Sequence, residues 1–376
     1  SSVVGSLTWP EAMGLVVING LIIVALAISG LRKLIFDAVP MPLKLAITAG
    51  IGLFILFIGL IDAGFVGSTG LPSPPLGLGA KGAGSITTIP TLIFVLTLLV
   101  TGILVARKVR GGILIGLIAG TVVAVVVEAV WHLGSAVDKP GGWSLSVPTL
   151  SGSPFAVPDL SLVGEFSLAS FGRIGILAGI MLVFTLVFTN FFDAMGTFTG
   201  LSRQAGLSDE HGNFPRLQSA LVVEGAGAVV GGAVSASSNT VFIESGTGIG
   251  EGARTGLASL VTGTLFLAAM FLTPLAAIVP SEVAAAALVV VGALMASVLR
   301  DIDFDDFSVT LPVVLTVAVM PLSYSIANGI GVGFIAWVVL RSASGRAREI
   351  SPLLWVVALG FLLYFARGWI DSLVGV

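Results

Sequence analysis

The chain of 376 residues is 56% hydrophobic and only 10% charged, with a mean hydropathy of +1.11, whereas soluble domains carry about 25% charged residues. This composition excludes a water-soluble protein, and a net charge of -3 with 17 scattered Lys and Arg leaves no basic patch for nucleic acid. With no Cys and only two His, His132 and His211, the sequence also excludes disulfides, thiolate chemistry, iron-sulfur clusters and Cys- or His-rich metal centres.

At about 20 residues per crossing, the length accommodates roughly ten to twelve transmembrane helices. The opening SSVVGSLTWPEAMG lacks the basic region and small-residue cleavage site of a signal peptide and enters its first helix by residue 10. Apolar runs bounded by Gly, Pro and charge predict spans at 10–31, 43–62, 90–107, 111–133, 174–200, 216–234, 255–279, 281–299, 308–324, 327–341 and 353–370, the last a span or a surface helix. With strict alternation, 13 of the 17 Lys and Arg fall on one side, which makes that side cytoplasmic; Lys81, Lys139, Arg173 and Arg367 fall on the other. The Gly-, Pro- and Ser-rich loops 63–89 and 134–173 then lie outside. Gly20, Val39-Pro40 and Gly52 recur as Gly263, Val279-Pro280 and Gly292, in opposite membrane orientation, which is the pattern of an inverted repeat.

One segment breaks the pattern. SASSNTVFIESGTGIGEG, 235–252, has too much Ser, Asn, Thr and Gly for a lipid-facing helix, and bare backbone at membrane depth needs protein or a cavity around it. It predicts an extended stretch over about 236–241 followed by a half-helix from near Phe242.

Carboxylates inside spans are costly and mark substrate or ion paths. Asp193 sits deep in NFFDAMGTFTG, where Asn190, Asp193 and Thr197 share a helix face; they line a site, or Asp193 braces neighbouring helices. Glu244 falls where the extended stretch turns into the half-helix, placed to accept from ligand N–H groups or to cap that helix. Facing one cavity, the two carboxylates would repel each other and hold a proton between them.

Other polar groups read as structural. Glu224 lies beside Gly227 and Gly231, a small-xxx-small face for helix packing. SDEHGN, 208–213, lacks calcium-loop spacing and reads as a turn. GTGIGEG has no following Lys and does not form a nucleotide cradle. Glu128 and His132, an i, i+4 pair, are expected to interact at the membrane interface, with Trp9, Trp131 and Trp369 as belt residues.

The stretches NFFDAMGTFTGLSRQAGL, SSNTVFIESGTGIGEGARTGL and MPLSYSIANGIGVGF resemble the signature stretches of the azaguanine-resistance-type purine permeases, the adenine, guanine and hypoxanthine branch of the nucleobase-cation symporters. The resemblance runs from about Trp9 to Arg348. It implies an all-α polytopic membrane protein with an inverted-repeat transporter fold, seven plus seven segments, divided into a core and a gate domain. Residues 10–31 and 174–279 then form the core with the substrate site; 43–134 and 281–342 form the gate. Residues 135–173 form an external loop and 353–370 a C-terminal hydrophobic helix. The first helix corresponds to the family's fourth segment, so the first three, including the partner half-helix, are expected to be missing and the chain a fragment.

By the same resemblance Asp193 and Glu244 bind the base, and Thr197 lies one turn on. Phe242, Ile243, Ser238, Asn239 and Thr240 lie beside it, Asn190 completes the lining, and Asp193 and Glu244 serve proton coupling. Ala194 stands where many relatives carry Thr. The implied activity is proton-coupled purine uptake by a multi-pass protein of the plasma or inner membrane, with a purine, a proton and the bilayer as partners, a homodimer compatible with it, no nucleic acid, and no cofactor or metal. An anion exchanger of the sulfate-permease type, or a uracil or xanthine transporter of the same fold, is the alternative; two carboxylates in the site argue against an anion. No nucleophile-base pair or soluble effector domain supports an enzyme or receptor.

Overall fold

The computed structural model describes every residue except 1–6, 80, 81, 83, 140, 150, 151, 208–213, 243, 244, 251, 375 and 376, and not the side chains of 177, 203, 204, 247, 250 and 367–374. Among the described residues the regular structure is helical apart from one hairpin and an isolated bridge between Ser135 and Trp143. Eight helices are long and apolar enough to cross a membrane, and three shorter apolar ones bring every expected span its helix.

The chain divides into two compact units. The first comprises Ser1–Ile51, Asp159–Arg254 and Ser297–Val376. It contains α1 (Trp9–Ile28), α2 (Leu31–Ala38), the first half of α3 (Met41–Asp62), and, further along, α6 (Ser170–Ile174), α7 (Ile176–Gln204), α8 (Leu217–Ala233) and α9 (Ser245–Gly250). The second comprises Gly52–Pro158 and Thr255–Ala296, with β1 (Val66–Ser68), β2 (Leu76–Leu78), α4 (Ile89–Ala106), α5 (Gly112–Trp131), α10 (Leu257–Ala269), α11 (Thr273–Ala276) and α12 (Ser281–Ala296). The chain then returns to the first unit as α13 (Phe307–Leu322), α14 (Ile326–Ala343) and α15 (Pro352–Val374).

Helix association in lipid lacks a hydrophobic drive and rests on close packing, so small residues decide the contacts. In the first unit α1 and α8 form the most extensive pairing: Gly20 lies against Val229, Gly225 against Ile23 and Val24, and Gly232 against Val17. α1 starts with a capping arrangement, the Thr8 N–H donating to Glu11 Oε2 at 2.8 Å, while Arg173 Nε lies 3.0 Å from Glu11 Oε1. α13 and α14 pack through Gly329 and Gly333, which face Met320 and Thr316. In the second unit Gly112, Gly116 and Gly120 of α5 present a small stripe to Leu104, Thr101 and Thr97 of α4. There too α3 crosses α12 with Gly52 and Gly292 facing each other. Pro40 and Pro280 stand directly before these two helices, and the two glycines follow them at equal spacing.

Several local features differ from the sequence reading. Residues 31–38 form the separate helix α2, entered through Gly30 at φ +75°, because Arg32 and Phe36 turn inward while Leu34 stays exposed. The loop after α3 contains the antiparallel hairpin β1–β2. The span 255–279 is interrupted by a tight turn of helix at Met270–Leu272 just before Pro274, which cannot continue the α-helical ladder. Glu128 does not turn to the His132 ring: its carboxylate accepts from the Trp143 indole at 2.8 Å and the Gly134 N–H at 3.2 Å, closing the loop over a fully buried Trp143. Glu282 likewise accepts the Ser144 N–H at 2.9 Å.

Asp306 caps α13, accepting from the Ser308 N–H at 2.9 Å and Oγ at 2.7 Å, and pairs with Arg346 at 2.5 Å. The Ser308 hydroxyl, then its amide and Arg346, hold the carboxyl below the ordinary carboxylate range. A depressed folded value means the contribution is complete above the unfolded value and fades as pH falls through the folded one. The melting temperature of the protein in detergent should therefore fall below about pH 4, and this part of the fall should vanish in Asp306→Asn. An identical pH profile in the variant would remove Asp306 from the account.

Candidate functional site

The expected site falls in the first unit, on α7 and on the segment after α8. Helix α7 has two faces. Phe184, Phe188 and Phe192 recur every four residues on one, where Phe192 meets Phe334 at 5.2 Å and Phe188 meets Phe361 at 5.3 Å between centroids. On the other, Asn190 and Thr197 are buried and Asp193 half-buried. α3 presses against α7 beside this face, the Thr48 hydroxyl donating to the Gly196 carbonyl at 3.0 Å.

After α8, residues 237–242 are irregular. The next described helix, α9, covers Ser245–Gly250, with the Ser245 N–H donating to the Phe242 carbonyl at 3.1 Å; the expected start near Phe242 adjoins Ile243 and Glu244, which lie outside the described residues. Gly227 and Gly231, expected to receive a helix, receive this segment instead. A Cβ at Gly231 would lie 3.1 Å from Asn239 N, and one at Gly227 would lie 3.4 Å from Asn239 Cβ. Helix α8 therefore carries two small faces, one for α1 and one for the backbone of 237–239, and glycine permits the close approach of both.

A hydrogen bond joins the two elements: Asn190 Nδ2 donates to Ser238 Oγ at 2.8 Å. Ser238 is half-buried, Asn239 exposed, and Phe242 60% exposed. Thr240 Oγ1 is buried and finds no hydrogen-bond partner among the described residues. Ile243 and Glu244 lie outside the described residues, as does the 208–213 turn. Among the described residues there is no His, Asp and Glu group able to hold a metal ion.

Sequence reasoning missed what braces the site from behind. Glu224, read as a packing residue, forms an ion pair with Arg32 of α2 in which both side chains are essentially inaccessible. Arg32 Nη1 also donates to the Leu221 carbonyl at 3.2 Å, and its guanidinium lies 5.3 Å from the Phe191 ring centroid on α7. The signal in the sequence was a Glu among glycines, but its partner is 192 residues away.

A bundle of apolar helices broken at membrane depth by an irregular polar segment, set against a polar helix face, defines a polytopic membrane transporter. The chain belongs to the permease family, whose model matches residues 2–332. It is 37% identical over 362 residues to the guanine/hypoxanthine permease PbuG of Bacillus subtilis, covering 95% of this chain and 76% of that protein. To the adenine permease AdeP of Escherichia coli it is 35% identical over 358 residues, 95% and 74% of the two chains. The guanine/hypoxanthine permease PbuO of Bacillus subtilis is 32% identical over 364 residues, 96% and 78%. The protein is thus a multi-pass protein of the cell membrane and a transporter, not an enzyme.

Proposed function

We propose that this chain carries purine nucleobases, such as adenine, guanine or hypoxanthine, into the cell together with a proton. The substrates for which PbuG, AdeP and PbuO are named support the substrate class. The single observation supporting the site is the Asn190 to Ser238 hydrogen bond, which joins the polar face of α7 to the irregular segment. On this reading the base is bound by Asp193, Glu244 and Thr197, with Asn190, Ser238, Asn239, Thr240, Phe242 and Ile243 around it. Residues 10–31 and 174–279 move as the core against a gate of 43–134 and 281–342, a division by motion and not by packing. The loop 135–173 lies outside, and 353–370 closes the chain.

Glu244 anchors the purine through its ring N–H groups, and Asp193 is the group whose protonation is coupled to transport. A neutral heterocycle offers no charge to compensate two anions, and a proton on one of them removes the repulsion and supplies a donor for a ring nitrogen or carbonyl. Uptake of labelled adenine, guanine, hypoxanthine, uracil and sulfate by cells that lack their own purine permeases and express this transporter tests the reading. Purine uptake that collapses with the proton gradient is expected; uptake of sulfate or uracil alone would replace it. Glu244→Gln should weaken base binding about 10- to 100-fold, the scale of lost charge-assisted hydrogen bonds. Asp193→Asn should keep exchange and lose accumulation; unchanged pH dependence in both variants would make the carboxylates structural.

A further inference from the structure

The chain leaves α8 through a left-handed turn. The Ser235 N–H donates to the Gly232 carbonyl at 3.1 Å and the Ala236 N–H to the Gly231 carbonyl at 2.8 Å, the paired closure of a Schellman motif. The left-handed position of that motif is normally glycine, and among the described residues fifteen glycines adopt positive φ. Here it is Ser235, at φ +61°. Of the four non-glycine residues at positive φ among the described residues, Lys108, His132 and Tyr324 are exposed and Ser235 alone is buried.

The side chain explains why a serine stands there. Ser235 Oγ accepts from the Trp9 indole N–H at 2.8 Å and donates to the Glu165 carbonyl at 3.4 Å. Trp9 opens α1, and its neighbourhood is tied in turn: the Ser167 N–H donates to the Pro10 carbonyl at 2.8 Å and the Gly164 N–H to the Ala233 carbonyl at 2.9 Å. Three residues beyond Ser235, Ser238 receives Asn190.

We propose that Trp9 and Ser235 form a latch that sets the direction in which the chain enters the ligand segment 237–242, so that both are positioning residues for substrate although neither touches it. A glycine at 235 would make the turn more easily but leave its direction free; the serine holds a strained turn in one orientation through its hydroxyl. The inference rests on the reading of this segment as part of the substrate site.

Trp9→Phe keeps the ring and removes the donor; Ser235→Ala removes the acceptor; Ser235→Gly removes the acceptor and the strain. Each should raise the KM for purine uptake about 5- to 10-fold, the scale of one lost hydrogen bond, at little-changed maximal rate. Trp9→Phe combined with Ser235→Ala should be no worse than Ser235→Ala alone, because the bond between the two residues is already lost in each single variant. Ser235→Gly should weaken binding while melting at or above the wild-type temperature, a split that a purely structural residue would not give. A second measurement is independent of substrate. The chain has no cysteine, so Ala236→Cys, at an exposed position, reports the segment alone through its maleimide labelling rate. Trp9→Phe should raise that rate several-fold. An unchanged labelling rate overturns the latch; a raised rate with no purine uptake in the parent overturns only the functional reading; wild-type KM with raised labelling overturns the link from latch to substrate.

Discussion

Glu224→Ala is expected to destabilise the protein by about 3–5 kcal/mol, the cost of leaving a buried charge without its partner. Arg32 is 0% exposed, and its Nε and Nη2, like Glu224 Oε1, have no hydrogen-bond partner among the described residues. The guanidinium thus depends on this carboxylate, the Leu221 carbonyl and the Phe191 face. Removing Arg32 alone should be as harmful, whereas Arg32→Met with Glu224→Leu, which fills the same space without charge, should recover most of the loss. Thermal melting of the four proteins in detergent distinguishes these cases. Equal melting of Glu224→Ala and the parent would show that water reaches the pair and that the burial described here is wrong.

Gly292→Val should be the most damaging single substitution at a helix crossing, by about 3 kcal/mol or more. A Cβ at Gly292 would lie 2.8 Å from Leu56 Cβ and 2.9 Å from Leu56 N, and one at Gly52 would lie 2.6 Å from Met295 Cβ and 2.7 Å from the Gly292 carbonyl oxygen. Backbone atoms form part of each contact, so no rotamer change relieves it and the helices must separate, forfeiting dispersion contacts along α3 and α12. Gly102→Ala on α4 is the contrast, since nothing lies within 4 Å of its added Cβ, and a better helix former should leave it neutral or slightly stabilised. Comparable losses of folded yield at both positions would place the cost in the backbone and not in the crossing.

What the sequence made legible follows from what repeats along it. Hydropathy finds α3, α4 and α5 within a residue or two because each is a long apolar run with Gly, Pro or charge at its ends. The break after α8 is equally plain, since SASSNT competes for backbone hydrogen bonds. α2 escapes because its eight residues carry Arg32, Lys33 and Asp37, and charge beside a span reads as loop. Arg32 is counted with the basic residues of one membrane face, while in the fold it points inward to Glu224. Gly227 and Gly231 predict close packing correctly but not its object, because helix and extended backbone both need a missing Cβ. The carboxyl of Glu128 pairs with Trp143 and not with His132 because the loop after Trp131 folds back, and helical periodicity says nothing beyond the helix end.

The pairing of α1 with α8 also has a consequence for biosynthesis. Polypeptides lengthen at roughly 5–20 residues per second, and the Arg32–Glu224 contact spans 192 residues, so α1 waits on the order of 10–40 s in the bilayer before its main partner exists. During that interval Asn19, buried in the finished protein and next to Gly20, which lies against Val229 of α8, has no α8 beside it. A polar amide in lipid without a partner is what membrane insertases and chaperones shield. The nascent chain is therefore most dependent on such help between emergence of α1 and completion of α8, and ribosome-stalled chains ending near residue 130 should crosslink to an insertase through α1, whereas those ending beyond residue 270 should not.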